Sequence, residues 1–279
     1  MGLIVSGSAG FCYGVKRALA IIEKEKTRHE RLYTYGPLIH NPAVIRRLEE
    51  EDVIPTEDFS GLACGQPIVL RTHGIERETE SEMRAMGLCI VDTTCPFVKN
   101  AQNKAASLAA AGYQVNIFGD PFHPEVRSIL SYAGPAGRIV SGLSDVPGSP
   151  AAKTGLLSQT TSNKCDFSKI CALFSENAGE LRIFNTICSA TFERQKDTVE
   201  IAQKVDFMII VGGKNSANTN RLRELAERYV PSKHIESADE LTVDELRKYA
   251  TIGITAGAST PDFSIGEVID FVNRIVGGN

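Results

Sequence analysis

Short apolar runs closed by polar, glycine-containing turns recur along the chain, and most lead into a stretch with helical spacing. Phe207-Met208-Ile209-Ile210-Val211 is apolar at every position, the pattern of a strand covered on both faces. Residues 68–70, 114–118, 154–157 and 252–255 are also expected to be strands. Further strands are expected at residues 3–5, 31–35, 90–91 and 138–140. Helical runs are expected over 15–26, 42–51, 98–111, 124–132, 192–204, 220–229 and 264–276, with an amphipathic helix between 162 and 182. Strands alternating with helices in this way predict an α/β fold with mainly parallel sheets. Residues 134–153, rich in Gly, Pro, Ser and Ala, read as a loose connection around one short strand.

The alternation carries a longer period. Cys12, Cys95 and Cys188 each close a strand and turn and open a helical run, and they stand 83 and 93 residues apart. Counting 24 residues on from each reaches Gly36, Gly119 and Gly212; counting 28 reaches His40, His123 and Ser216. Each of the latter precedes another helical run. A further apolar run then ends in a third polar signal: Arg71-Thr72-His73, Ser158-Gln159-Thr160, and Thr255-Ala256-Gly257-Ala258-Ser259. Two matching offsets and a third signal recurring in the same order mark three diverged copies of one α/β unit. Their expected bounds are 13–95, 96–184 and 185–279, the last completed by the strand in residues 1–12.

Composition narrows the classes. With 42% hydrophobic and 23% charged residues in 279, the chain has material for a sizeable core. A formal net charge of -4 offers no footing for a nucleic-acid backbone or a membrane surface. No stretch approaches the ~18 uncharged apolar residues of a membrane span, and the N-terminus lacks a signal peptide's charged start and long apolar middle. Met1-Gly2-Leu3-Ile4-Val5-Ser6 matches a myristoylation pattern, but Leu3 to Val5 is better read as the first buried strand. Seven cysteines, an odd number in a chain with no export signal, point to a reducing cytoplasm, where spaced cysteines serve metals or catalysis.

A cysteine between a strand end and a helix start meets backbone N–H groups and the positive end of the helix dipole, which favour the thiolate. Three such thiolates converging on one axis suit a metal centre, though not a zinc finger, because there is no C-x-x-C. An iron–sulfur cluster held by three cysteines leaves one iron open and reactive. The plainer alternative is three buried core thiols; the repeat favours the cluster. Cys64, Cys89, Cys165 and Cys171 fall outside the repeat positions and read as ordinary thiols.

His40, His73, His123, Ser216, Asn218 and Ser259 lie beside glycines or at helix starts, surroundings that suit a phosphate-bearing ligand. A lone histidine is by default structural; equivalent strand-end positions weaken that default. Glu125, two residues after His123, stands out as a proton source. Beside a diphosphate and away from water its pKa should rise towards neutrality. Its alternative is a first-turn carboxylate favoured by the dipole. The turn from Gly7 to Gly14 lacks the G-x-G-x-x-G spacing, and no acidic residue closes the next strand, which argues against a dinucleotide. A cysteine–histidine hydrolase would use one of the three cysteines and leave two unexplained.

Nine segments together resemble the 4-hydroxy-3-methylbut-2-enyl diphosphate reductases (LytB/IspH). They are GFCYGVKRA (10–18), GPLIHNP (36–42), RTHGI (71–75), DTTCP (92–96), HPEV (123–126), SQTT (158–161), TICSAT (186–191), NSANTNRL (215–222) and TAGASTPD (255–262), and they span the chain in family order. The resemblance implies three α/β domains in a pseudo-threefold trefoil around one [4Fe–4S] cluster, held by Cys12, Cys95 and Cys188 with one open iron. It implies that His40, His73, His123, Ser216, Asn218 and Ser259, with Asn215 and the main chain at Ala217, grip a diphosphate. Thr160 and Glu125, with His123, would order the hydroxyl end and relay protons, and Thr191 would lie close by. The implied reaction is a two-electron reductive dehydroxylation giving isopentenyl and dimethylallyl diphosphates, the last step of the non-mevalonate pathway. Its electrons would come from ferredoxin or flavodoxin, in a cytoplasmic monomer or homodimer.

Ala217 stands where many members have a second serine, so a hydroxyl contact is lost there, although a backbone N–H could serve. Tyr13 and Ser189 also depart from the commonest forms. A non-catalytic iron–sulfur sensor on the same fold is the alternative. A sensor would tolerate loss of Glu125 and Thr160, and both are present.

Overall fold

A computed structural model of the chain describes residues 2–276. The first elements are β1 (Gly2–Val5), α1 (Tyr13–Lys26), β2 (Leu32–Tyr35), α2 (Pro42–Glu50), β3 (Val53–Thr56), β4 (Pro67–Leu70), α3 (Arg77–Ala85) and β5 (Cys89–Asp92). There follow α4 (Pro96–Ala110), β6 (Gln114–Phe118), α5 (Pro124–Ala133), β7 (Gly137–Val140), β8 (Lys153–Ser158), α6 (Lys164–Asn177) and β9 (Glu180–Phe184). The last are α7 (Ser189–Ala202), β10 (Phe207–Val211), α8 (Ala217–Ala226), β11 (Ser232–Ile235), α9 (Val243–Leu246), β12 (Thr251–Ala256) and α10 (Asp262–Val276).

The strands form three four-stranded sheets with one shared order: β3-β2-β4-β5, β7-β6-β8-β9 and β11-β10-β12-β1. Every pairing is parallel, as expected when helices cross between successive strands. In the third sheet the edge place held by β5 and β9 elsewhere is taken by β1, with Leu3 opposite Ile252 and Val5 opposite Ile254. The strand that leads to each repeat-related cysteine is therefore the same edge strand of its sheet.

The described residues fall into two compact units. One runs through residues 2–16, 40–46 and 189–276 and holds the β11-β10-β12-β1 sheet. Phe207, Ile209 and Val211 pack with Ile252, Ile254, Ile265, Val268 and Val272 on one face. Met208 and Ile210 pack with Ile201, Val205, Leu222 and Ala226 on the other. Successive side chains of a strand face opposite ways, so a strand covered on both sides must be apolar throughout. Gly253 in β12 lets α7 pack close, since a Cβ there would collide with Met208 and Ile201.

The other unit comprises residues 17–39 and 47–188 and holds two sheets. Their cores centre on Ile68, Leu70, Ile75 and Met83, and on Val115, Ile117, Val126, Ile129 and Leu157. Ser128 Oγ donates to Ile75 O at 2.8 Å, and Arg127 pairs with Glu76 at 3.0 Å, tying α5 to the segment after β4.

Several expectations are corrected. The helix expected at 220–229 begins at Ala217, because Ser216 caps it by accepting from Thr219 N–H at 3.3 Å. The helix expected between 162 and 182 spans Lys164–Asn177, and the strand leading to Cys188 starts earlier than Ile183, at Glu180. β3, α3, α9 and β11 were not foreseen. β3 and β11 are edge strands, one carrying Pro55 and the other mostly polar, and such strands give little apolar signal. No helix among the described residues is long and apolar enough to cross a membrane.

Candidate active site

Each repeat-related cysteine sits at a helix start: Cys12 directly before α1, Cys95 as N-cap of α4 with Pro96 next, and Cys188 directly before α7. Their main-chain N–H groups donate to equivalent carbonyls: Cys12 to Ala258 at 3.0 Å, Cys95 to Thr72 at 3.0 Å, and Cys188 to Thr160 at 3.1 Å. Those carbonyls belong to the third polar signal of each repeat. One hydrogen bond thus holds every cysteine beside a turn that carries Ser259, His73 or Thr160. The three are half-buried, whereas Cys64, Cys89 and Cys165 are exposed. Core thiols would be fully covered; half-burial at a helix N-terminus is the setting of a reactive or ligating thiolate. Cys171 is also half-buried but lies inside α6, and burial pushes its thiol pKa up.

Unit by unit, the other residues gather at the carboxyl ends of the strands, where open parallel sheets bind ligands. In the unit with the β11-β10-β12-β1 sheet, Ser216 caps α8 and Asn218 occupies its first turn. Asn218 is 4% exposed, and neither its Oδ1 nor its Nδ2 has a hydrogen-bond partner. A buried amide in that state is costly unless a ligand meets it. Ser259 Oγ donates to His40 O at 3.1 Å. A Cβ on Gly213 would lie 2.5 Å from His40 O, so only glycine lets the turn before Ser216 reach that carbonyl. Asn215 and Ala217 flank Ser216, and Thr191 is buried on α7.

In the two-sheet unit, His123 caps α5, and its Nδ1 accepts from Glu125 N–H at 3.1 Å. The ring's hydrogen is therefore on Nε2. His73 stands edge-on to it, with ring centroids 5.4 Å apart. Glu125 is 2% exposed. Its Oε1 accepts from Thr160 N–H at 2.6 Å and its Oε2 from Thr160 Oγ at 2.9 Å. Burial pushes its carboxyl up from 4.5 to about 7, against the two Thr160 bonds, which favour the ionised form. The outcome is a carboxyl poised to give and regain a proton near neutral pH.

Gln159 Oε1 accepts from Asp120 N–H at 3.1 Å, which fastens the turn before His123 to the end of β8. Sequence reasoning passed over Arg17, Arg194 and Asp197. Charged residues in a helical run are by default a solvated face, and nothing in one sequence marks these as turned inward. Arg194 is 3% exposed.

A family model described as LytB protein matches residues 3–273. The 4-hydroxy-3-methylbut-2-enyl diphosphate reductase of Geobacter sp. (strain M21) is 41% identical over 278 residues, covering 99% of this chain and 98% of its own. The relative of the same name from Caldanaerobacter subterraneus subsp. tengcongensis is 40% identical over 283 residues, with 99% and 98% covered. A solved (E)-4-hydroxy-3-methyl-but-2-enyl diphosphate reductase, named the terminal enzyme of the non-mevalonate pathway, is 37% identical with a TM-score of 0.73 over 98% of this chain and 100% of its own. The solved E-1-hydroxy-2-methyl-but-2-enyl-4-diphosphate reductase from Plasmodium falciparum is 27% identical with a TM-score of 0.91, covering 98% and 87%.

Proposed function

Because the chain belongs to the LytB family, we propose that it takes 4-hydroxy-3-methylbut-2-enyl diphosphate, adds two electrons and two protons, and releases water with isopentenyl or dimethylallyl diphosphate. It is an oxidoreductase of the terminal step of the non-mevalonate isoprenoid pathway. The observation that carries the mechanism is the clasp of Glu125 by Thr160.

The donor set fits an iron–sulfur cluster. Cys12, Cys95 and Cys188 are half-buried, stand at helix starts, and each donates an equivalent main-chain hydrogen bond. We assign them as ligands of one [4Fe–4S] cluster with one iron lacking a protein thiolate. Bound there, the cluster would supply electrons singly and a Lewis-acidic iron at the substrate's hydroxyl end.

The chain's own groups bind and move protons. Ser216, Asn218 and Ser259, the histidines His40, His73 and His123, and the main chain around Asn215 and Ala217 would hold the diphosphate. Asn218 thereby gains the partners its buried amide lacks. When Glu125 is protonated, its O–H donates to Thr160 Oγ, whose own O–H is then free to turn to the substrate hydroxyl. The proton that leaves with water can pass along this pair, and Glu125 recovers one near neutral pH. Thr191 would wall the substrate, and His123 would offer its Nε2–H. A sensor would need none of this proton machinery. We assign ferredoxin or flavodoxin as the electron source, and a cytoplasmic monomer or homodimer as the working form.

The test is anaerobic incubation of the cluster-loaded protein with the hydroxy-diphosphate and reduced methyl viologen. Both diphosphate products should appear by mass spectrometry, and Cys95→Ser should lose visible absorbance and turnover together. A fully loaded protein that leaves the substrate intact would contradict the assignment.

A further inference from the structure

Arg194 shares α7 with Thr191 but has no part of its own yet in the chemistry. Arg194, buried on α7, donates from Nη1 to Ala256 O at 3.0 Å and from Nη2 to Gly10 O at 3.1 Å. Gly10 lies two residues before Cys12, and Ala256 lies two before Ala258, whose carbonyl receives the Cys12 N–H. One guanidinium therefore spans the turn carrying Cys12 and the turn carrying Ser259. Gly10 has φ 102, which few other residues adopt, and it is buried, so its carbonyl calls for a donor.

Three residues along the same helix face, Asp197 accepts from the hydroxyls of Ser6 and Ser8, the latter at 3.0 Å, and from Ser8 N–H at 3.3 Å. The cation takes carbonyls and the anion takes N–H and O–H groups, so α7 grips the loop between β1 and α1 at both ends.

The same device recurs in the two-sheet unit. Arg17 on α1 donates from Nη1 to Thr94 O at 3.2 Å, the carbonyl just before Cys95. Two of the three cysteine turns are thus held at a main-chain carbonyl by an arginine from a helix that follows a different cysteine in the chain. Arginine suits the task because its planar fork reaches two acceptors and its charge never titrates away.

We infer that Arg194 is a positioning residue for the Cys12 ligand, acting by fastening the Cys12 turn and by adding a permanent positive charge to that turn. The inference rests on the cluster assignment made above. Groups around cluster ligands govern both metal retention and reduction potential, and a nearby positive charge makes reduction easier.

The experiment compares cluster-loaded wild type with Arg194→Met, Arg194→Lys and, as a control, Lys196→Met on the exposed face of α7. Two readouts are taken anaerobically: the rate of iron loss to a chelator, and the midpoint potential from a redox titration followed by electron paramagnetic resonance. Arg194→Met should lose iron at least ~10-fold faster and shift the potential to more negative values. Arg194→Lys should restore the potential while still losing iron faster than wild type, since one nitrogen on a shorter side chain does not reproduce the two-nitrogen fork. Lys196→Met should match wild type in both. If Arg194→Met does not fold, Arg194→Lys decides alone, and wild-type iron retention in it overturns the inference. A folded, loaded Arg194→Met with wild-type potential and iron retention overturns it as well. A wild-type protein that takes up no cluster defeats the parent assignment instead, a result plainly distinct from the others.

Discussion

Replacing Glu125 by glutamine keeps the side chain's shape and removes its proton. In the wild type the carboxyl accepts twice from Thr160, and burial raises its pKa from 4.5 to about 7. That gap corresponds to roughly 3 kcal/mol of preference for the protonated form in the folded chain. The folded protein holds a proton that the unfolded chain releases as pH rises past 4.5. Wild-type stability should therefore fall between pH 4.5 and about 7, by up to that amount, and level off above. Glutamine lacks this dependence but keeps only one acceptor oxygen for Thr160, a loss of about 1 kcal/mol. The variant should be slightly less stable than wild type at pH 5 and more stable at pH 8. Turnover should drop by ~10²–10⁴, the usual worth of a general acid. The assay pairs anaerobic denaturation at stepped pH with an infrared titration of the protonated carboxyl band, which should fade near pH 7 and be missing in Glu125→Gln. A band titrating near 4.5, or a stability difference that does not move with pH, would refute the reasoning.

Other consequences follow from the same geometry. Thr160→Val removes the 2.9 Å bond that favours the ionised Glu125; with a charge-assisted bond worth ~1.5–3 kcal/mol, the alkaline limb of kcat/KM should move up by about one to two pH units as kcat falls. An unmoved limb would detach Thr160 from the proton path. Asn218→Ala deletes a buried amide without partners, so KM for the diphosphate should rise by ~10-fold or more while the denaturation midpoint stays or increases; lower stability with unchanged KM would mean the amide serves the fold. Gly74→Ala forces φ 72 on a residue with a Cβ, and places that Cβ 2.6 Å from Gln102 Nε2 and 2.8 Å from Ser128 Oγ. It should cost about 1–3 kcal/mol and weaken binding through the adjacent His73, as read from denaturation and KM; a wild-type midpoint would show that the Gln102–Ser128 contact yields freely.

What the sequence made legible followed from how strongly each feature is patterned. The unbroken apolar run of β10 and the offsets shared by Cys12, Cys95 and Cys188 announce buried parallel strands and repeat-related helix starts, and both features appear as expected. β11 went unseen because Ser232, Lys233 and His234 carry no apolar period at a sheet edge. The start of α8 was placed three residues late because Ala217-Asn218-Thr219 has no hydrophobic spacing, and the cap on Ser216 is a hydrogen bond rather than a pattern.

Glu125 was visible as a carboxyl near a strand end. Its burial against Thr160 depends on β6 and β8 pairing in a register that sets Phe118 opposite Ser158, a long-range fact no local window contains. Arg194 was invisible for the same reason. An arginine in a helical run looks solvated until the strands that receive it are known.

The most direct test of the account is Mössbauer spectroscopy of anaerobically prepared protein, with and without the hydroxy-diphosphate. If Cys12, Cys95 and Cys188 hold one four-iron cluster, three irons should share one signature and a fourth should differ, and only the fourth should change when the diphosphate is added. Four equivalent irons, or a distinct iron that ignores the substrate, would contradict it.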